Sequence, residues 1–241
     1  MTSVSRILVA IGFAAAGHVH AAPLKVALPC DRPMLLAGEG ATLVPAPQSI
    51  PVKPVGARLR ELFIRACGPS WSMREHPETS GRLAPAQAGL EATLRELRPA
   101  VAVFDFPHAD LVGGATVDAL LARYASLMRV CAEVEAVCLV GGQRPVDTAP
   151  DETAARQQEL ERRAREALGR HYLPLYLAFR SEAAGRRAIV GLVAGGEPPR
   201  LTDLGHEVLF TLYRNRLLEM TAPPSAQASG ARPAPQAAAA R

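Results

Sequence analysis

The chain contains almost no lysine. Only Lys25 and Lys53 occur in 241 residues, so the net charge of +4 rests almost wholly on arginine. The arginines are scattered or share a helix face, as Arg162, Arg163 and Arg165 do. That pattern reads as solvated helix surface and gives no expectation of a nucleic-acid partner. No G-x-G-x-x-G follows a strand and no Walker A sequence occurs, which removes the common nucleotide-binding loops. No C-x-x-C or Cys/His spacing suits zinc, and no metal or cofactor is expected. Beyond the N-terminus no apolar run reaches bilayer length, so no integral membrane span is expected. Internal repeats are absent as well.

What is present begins with "MTSVSRILVAIGFAAAGHVHAAP". Arg6, an apolar run from Ile7 to Ala16 and then small residues follow the order of a secretory signal. Val19-His20-Ala21 is an acceptable cleavage site, so residues 1–21 are expected to leave and the mature chain to start near Ala22. The expected location is periplasmic or secreted. Export implies an oxidising compartment, and the four cysteines allow three pairings. Cys131 with Cys138, and Cys30 with Cys67, is the preferred set, because Cys131 would end a helix and Cys138 lie in the next strand.

Apolar runs at "LKVAL" (Leu24–Leu28), "WSMREH", "AVAVFDF", "AVCLVGG", "YLPLYLAF" and "AIVGLVAGG" read as strands. The Pro- and Gly-rich stretch from Pro29 to Pro54 reads as a loop. Stripes at helical spacing through Leu59 and Phe63, through Leu90 and Leu94, through Leu120 and Leu127, and through Leu160 and Ala164 read as helices between them. Such alternation predicts an α/β fold, a three-layer α/β/α sandwich on a mainly parallel sheet with flavodoxin-like topology. Ligands in these folds bind at the carboxyl ends of the strands. A domain over 22–220 is expected, followed by a disordered Ala/Pro-rich tail over 221–241.

The last helix opens with "LTDLGHE". Asp203 and His206 stand three residues apart, on one helix face. That spacing suits an acid that orients an imidazole acting as base. Thr202 or Asp203 could equally cap the helix.

The element order, closed by Asp203-Leu204-Gly205-His206, resembles the SGNH (GDSL) hydrolases, three-layer α/β/α enzymes that cleave esters. The resemblance implies His206 as base and Asp203 as its orienter. It matches "HPETSGRLA" to the block whose glycine N–H helps form an oxyanion hole, here Gly81. It matches Pro107-His108-Ala109-Asp110 to G-x-N-D, with Asp110 kept and the oxyanion-donating Asn replaced by Ala109, which has no donor. His108 could supply an N–H in its place.

The family's G-D-S block, with the nucleophilic Ser, has two possible registers. If "LKVAL" is strand one, the preferred register, Cys30-Asp31-Arg32 fills the block and Arg32 takes the Ser position. If "PMLLA" is strand one, Gly38-Glu39-Gly40 fills it and Gly40 takes that position. Neither supplies a serine. Cys30 is the substitute nucleophile that chemistry allows, with Thr42 a further hydroxyl. Asp31, Arg32, His108 and Asp110 are the expected ligand-binding residues, and Arg32 would favour an anionic ligand.

The expectation is thus an exported ester-hydrolase relative, non-catalytic or weakly active, that binds a glycan, acyl-ester or other small-molecule ligand or an envelope protein. One alternative is an active esterase using Asp203, His206 and a non-standard nucleophile. Another is an unrelated envelope protein of flavodoxin-like fold.

Overall fold

The computed structural model describes residues 30–38, 55–77, 82–106, 109–144, 151–186, 193–194 and 200–221. Residues 1–21, where a signal sequence is expected, "LKVAL" and all of the tail after Thr221 lie outside them, as do Gly40, Thr42, Gly81 and His108.

Strand β1 is Met34–Gly38, and β2 (Met73–Pro77), β3 (Val101–Asp105), β4 (Val137–Gly141) and β5 (Tyr172–Leu173) follow in the chain. They form a five-stranded sheet in the order β2-β1-β3-β4-β5, with every pairing parallel. The connections carry helices α1 (Val55–Cys67), α2 (Leu83–Leu97), the short α3 (Ala109–Val112), α4 (Val117–Glu133) and α5 (Asp151–Leu168). Helix α6 (Leu175–Arg186) follows β5, and α7 (Asp203–Thr221) closes the described chain. Val193–Ala194 (β6) and Arg200–Leu201 (β7) pair antiparallel in a separate two-stranded sheet.

Alternation along the strands builds two cores, because successive side chains point to opposite faces. Met34, Leu36, Val101, Val103 and Leu139 pack with α1 and α7. Leu35, Ala37, Ala102, Phe104, Cys138 and Val140 pack with α2, α4 and α5. Both faces are covered, as an all-parallel sheet requires. The result is the expected three-layer α/β/α arrangement.

Three elements depart from the sequence expectation. The segment 29–54 is not all loop, since it holds β1, whose five residues are all buried. The apolar run Met34–Ala37 is short and bracketed by Pro33 and Gly38, so its punctuation hides it. "YLPLYLAF" yields only two strand residues before a helix. Pro174 precedes that helix, which suits a residue without an N–H. Of "AIVGLVAGG", the described part, Val193–Ala194, belongs to the antiparallel pair and not to the parallel sheet.

The preferred disulfide pairing is present. Cys30 joins Cys67 at the end of α1, and Cys131 of α4 joins Cys138 of β4. Among the described residues no helix is long and apolar enough to cross a membrane.

Candidate functional site

Strand β3 is apolar until its last residue. Asp105 shares the strand face of Val101 and Val103, so it points toward α7. It is fully buried. On α7, Tyr213 meets it, and the Tyr213 hydroxyl donates to Asp105 Oδ1 at 3.0 Å. Arg144, just past β4, places a guanidinium nitrogen 3.5 Å from Asp105 Oδ2. Both members of this ion pair are removed from water, with side-chain exposures of 5% and 0%.

Two glycines make the approach possible. A Cβ on Gly141 would fall 2.0 Å from the Tyr213 hydroxyl, so only a bare backbone there lets Tyr213 reach Asp105. Gly38 ends β1 at a φ of +100°, and a Cβ on it would overlap the Asp105 carbonyl. That left-handed turn favours glycine.

His206 lies seven residues, about two helical turns, before Tyr213 on the same face of α7. Its Nδ1 is buried with no hydrogen-bond partner among the described residues. Burial holds its pKa below the usual 6.5, the Arg144 charge pushes the same way, and Asp105 and Asp203 oppose both more weakly. The ring is therefore neutral at neutral pH, the form a base requires. Burial raises the Tyr213 hydroxyl well above its usual range, and the neighbouring Asp105 adds to that. Tyr213 thus stays protonated and donates to Asp105.

Asp203 is exposed at the first turn of α7. It acts on His206 as a nearby charge, ranked behind Asp105, and no hydrogen bond joins the two. The helix is capped by Thr202, whose hydroxyl accepts from Gly205 N at 3.1 Å.

The remaining sequence candidates separate. The position of β1 in the sheet favours the register with Gly38-Glu39-Gly40 in the first block, which corrects the preference for Cys30-Asp31-Arg32. Cys30 is bonded to Cys67, so it offers no thiolate and is not the nucleophile. Arg32 donates to the carbonyls of Val134 and Glu135 at 3.0 and 2.8 Å, in the turn that leads into β4. Asp31 is exposed beside it at 3.7 Å. These residues occupy the amino ends of the strands, away from Asp203 and His206, so the cationic pocket expected from Arg32 does not form. Asp110 is buried and accepts from Leu83 N at 2.6 Å and Ala84 N at 3.4 Å. It supplies the N-terminal cap that Arg82 does not give α2.

Asp105, Arg144 and Tyr213 have no counterpart in the motif match. One sequence signal points to Asp105: a charged residue on the inward face of an otherwise apolar strand, at its carboxyl end. Nothing local marks Arg144 or Tyr213, which reach the site only through the fold.

No family model matches the chain, and no curated protein matches it in sequence. Solved structures do match in fold. TesA aligns at a TM-score of 0.56 and 17% identity, over 78% of this chain and 99% of its own. The esterase EstA from Pseudoalteromonas sp. aligns at 0.53 and 14%, over 78% and 98%. A GDSL-like lipase from Parabacteroides merdae aligns at 0.58 and 11%, over 80% and 98%. The fold of this chain is therefore that of the SGNH/GDSL esterases and lipases.

Proposed function

We propose that this chain is an exported ester-hydrolase relative that binds a glycan, acyl-ester or envelope ligand at the strand ends around His206, and turns over esters weakly or not at all. The observation that carries this reading is the separation of Cys30 from His206. Cys30 Sγ is locked in a disulfide at the amino ends of the strands, and His206 sits at the carboxyl ends. In the register that β1 favours, the nucleophile position is Gly40, a residue with no side chain to attack with. Removing a nucleophile abolishes most of the rate while binding persists.

What remains can still recognise a ligand. A neutral His206 can donate to or accept from a ligand oxygen through Nε2. The named neighbours are esterases and lipases, so an acetylated oligosaccharide is a reasonable first probe. Titrating it into the full chain should shift the His206 ring resonances saturably, with no acetate released above background. Acetate release that disappears in His206→Ala would replace this reading with the active-esterase alternative. No shift at His206 would remove the site.

A further inference from the structure

A cleft lies between α5 and α6. It has a volume of about 920 Å³ and is lined by Gln158, Glu161, Arg165, Tyr176 and Arg180 among others. That volume is in the range of small-ligand sites.

Tyr176 is the informative residue. It is almost wholly buried, with 2% exposure, and is among the residues that line this cleft. The hydroxyl oxygen accepts from Gln158 Nε2 at 3.2 Å and from Arg180 at 3.2 Å. A phenol oxygen that accepts twice must place its own proton elsewhere. Among the described residues nothing accepts that proton. That leaves the proton available to a ligand in the cleft.

The surrounding charge selects its sign. Arg180 lies over the Tyr176 ring at 5.6 Å. Arg165 is exposed beside Glu161. Arg162 is taken up by Glu159 and Glu166 at 2.8 and 2.9 Å and adds little. Of the two carboxylates in the lining, Glu166 is paired with Arg162, which leaves Glu161. Its two oxygens, however, are committed to the N–H groups of Tyr176 and Leu177 at 3.0 and 2.9 Å. Burial also pushes its pKa up to about 7, so it carries only part of a charge at neutral pH.

We propose that this cleft is a binding site distinct from the His206 end, and that it takes an oxyanion, as a carboxylate or a sulfate, on the Tyr176 hydroxyl proton and the Arg180 and Arg165 guanidinium groups. Charge-assisted bonds of this kind are the strong ones.

Calorimetric titration of the full chain at neutral pH tests this with sodium glucuronate, inorganic sulfate and uncharged glucose. Glucuronate, sulfate or both should bind saturably, and glucose should not. Glucuronate alone would identify a carboxylate ligand, sulfate alone a sulfate, and both the shared oxyanion chemistry. Tyr176→Phe keeps the ring and removes the proton, and should weaken binding about tenfold, as for one hydrogen bond to a charged group. Exposed Arg180→Gln should weaken it comparably and covers the case in which Tyr176→Phe misfolds. His206→Ala should leave it unchanged, which separates this site from the one proposed above. Absence of binding by both anions, equal binding of glucose, an unchanged affinity in either cleft variant, or loss of binding in His206→Ala would overturn the proposal.

Discussion

The two ends of the parallel sheet are built from different bonds. At the amino ends, Cys30 is covalently tied to Cys67, and Arg32 closes on two backbone carbonyls. Pro33 O accepts from Ala100 N at 2.8 Å in the same region. Those contacts satisfy the backbone and leave no reactive group there among the described residues. At the carboxyl ends, Asp105, Arg144, Tyr213 and His206 bring ionisable side chains together under burial. Taking charges out of water is expensive unless each is paired, so that end is the costly one. It is also the end where a ligand binds in folds of this class. The comparison teaches that one end of the sheet is closed for stability and the other kept chemically expressive.

Removing Asp105 should show this most strongly. Asp105→Ala removes the carboxylate beside the buried Arg144 and the acceptor of the Tyr213 hydroxyl, and should cost about 3–5 kcal/mol in urea unfolding. Asp31→Ala at the opposite end breaks only an exposed pair, and should change stability by less than about 1 kcal/mol. Comparable losses in the two variants would erase the distinction.

Opening the Cys30–Cys67 disulfide comes next. It closes a 37-residue separation, and replacing both cysteines by serine should cost about 3–4 kcal/mol on the chain-entropy account. The His206 ring resonances should not move. Movement would mean that the two ends communicate.

The pH dependence sharpens the contrast. His206 has a folded pKa below 6.5, so the unfolded chain binds its proton first. Stability is then lost as pH falls below about 6.5 toward the folded value. His206→Gln should flatten the acid side of the melting profile. Glu161 has the opposite sign, because its folded pKa is raised from 4.5 to about 7. Its contribution is present below about 4.5 and lost as pH rises through about 7. Glu161→Gln should therefore flatten the profile over that window and leave the region below it alone.

The smallest effect expected is at the start of α7. Thr202→Ala removes the cap on Gly205 N and should cost about 1 kcal/mol in thermal or urea unfolding. His206 stays on its helix face, so its titration should change little.

Most of the fold was legible because strand alternation and helical stripes repeat over many residues. Val101–Phe104 and Val137–Val140 are continuous apolar runs, and α4 and α5 carry long periodic stripes, so each was visible locally. Met34–Gly38 was obscured by the prolines and glycines around it, and with it the register of the first block. The candidate site was less legible. Asp203-x-x-His206 could be read from spacing on one helix. The carboxylate that stands closer to His206 in its electrostatics, Asp105, comes from a strand about a hundred residues earlier. Its partners Arg144 and Tyr213 come from two further elements, and local patterns carry no record of such assembly. Cys30 and Arg32 were drawn to the site by the register that takes "LKVAL" as strand one, whereas β1 favours the other.

The most direct test of the central claim is hydrolysis of a short activated aryl ester by the full chain beside His206→Ala, with intact-mass measurement for a covalent acyl adduct. The account predicts negligible and equal rates and no adduct. Turnover that falls in His206→Ala, or an acyl group left on the protein, would show a working nucleophile and contradict it.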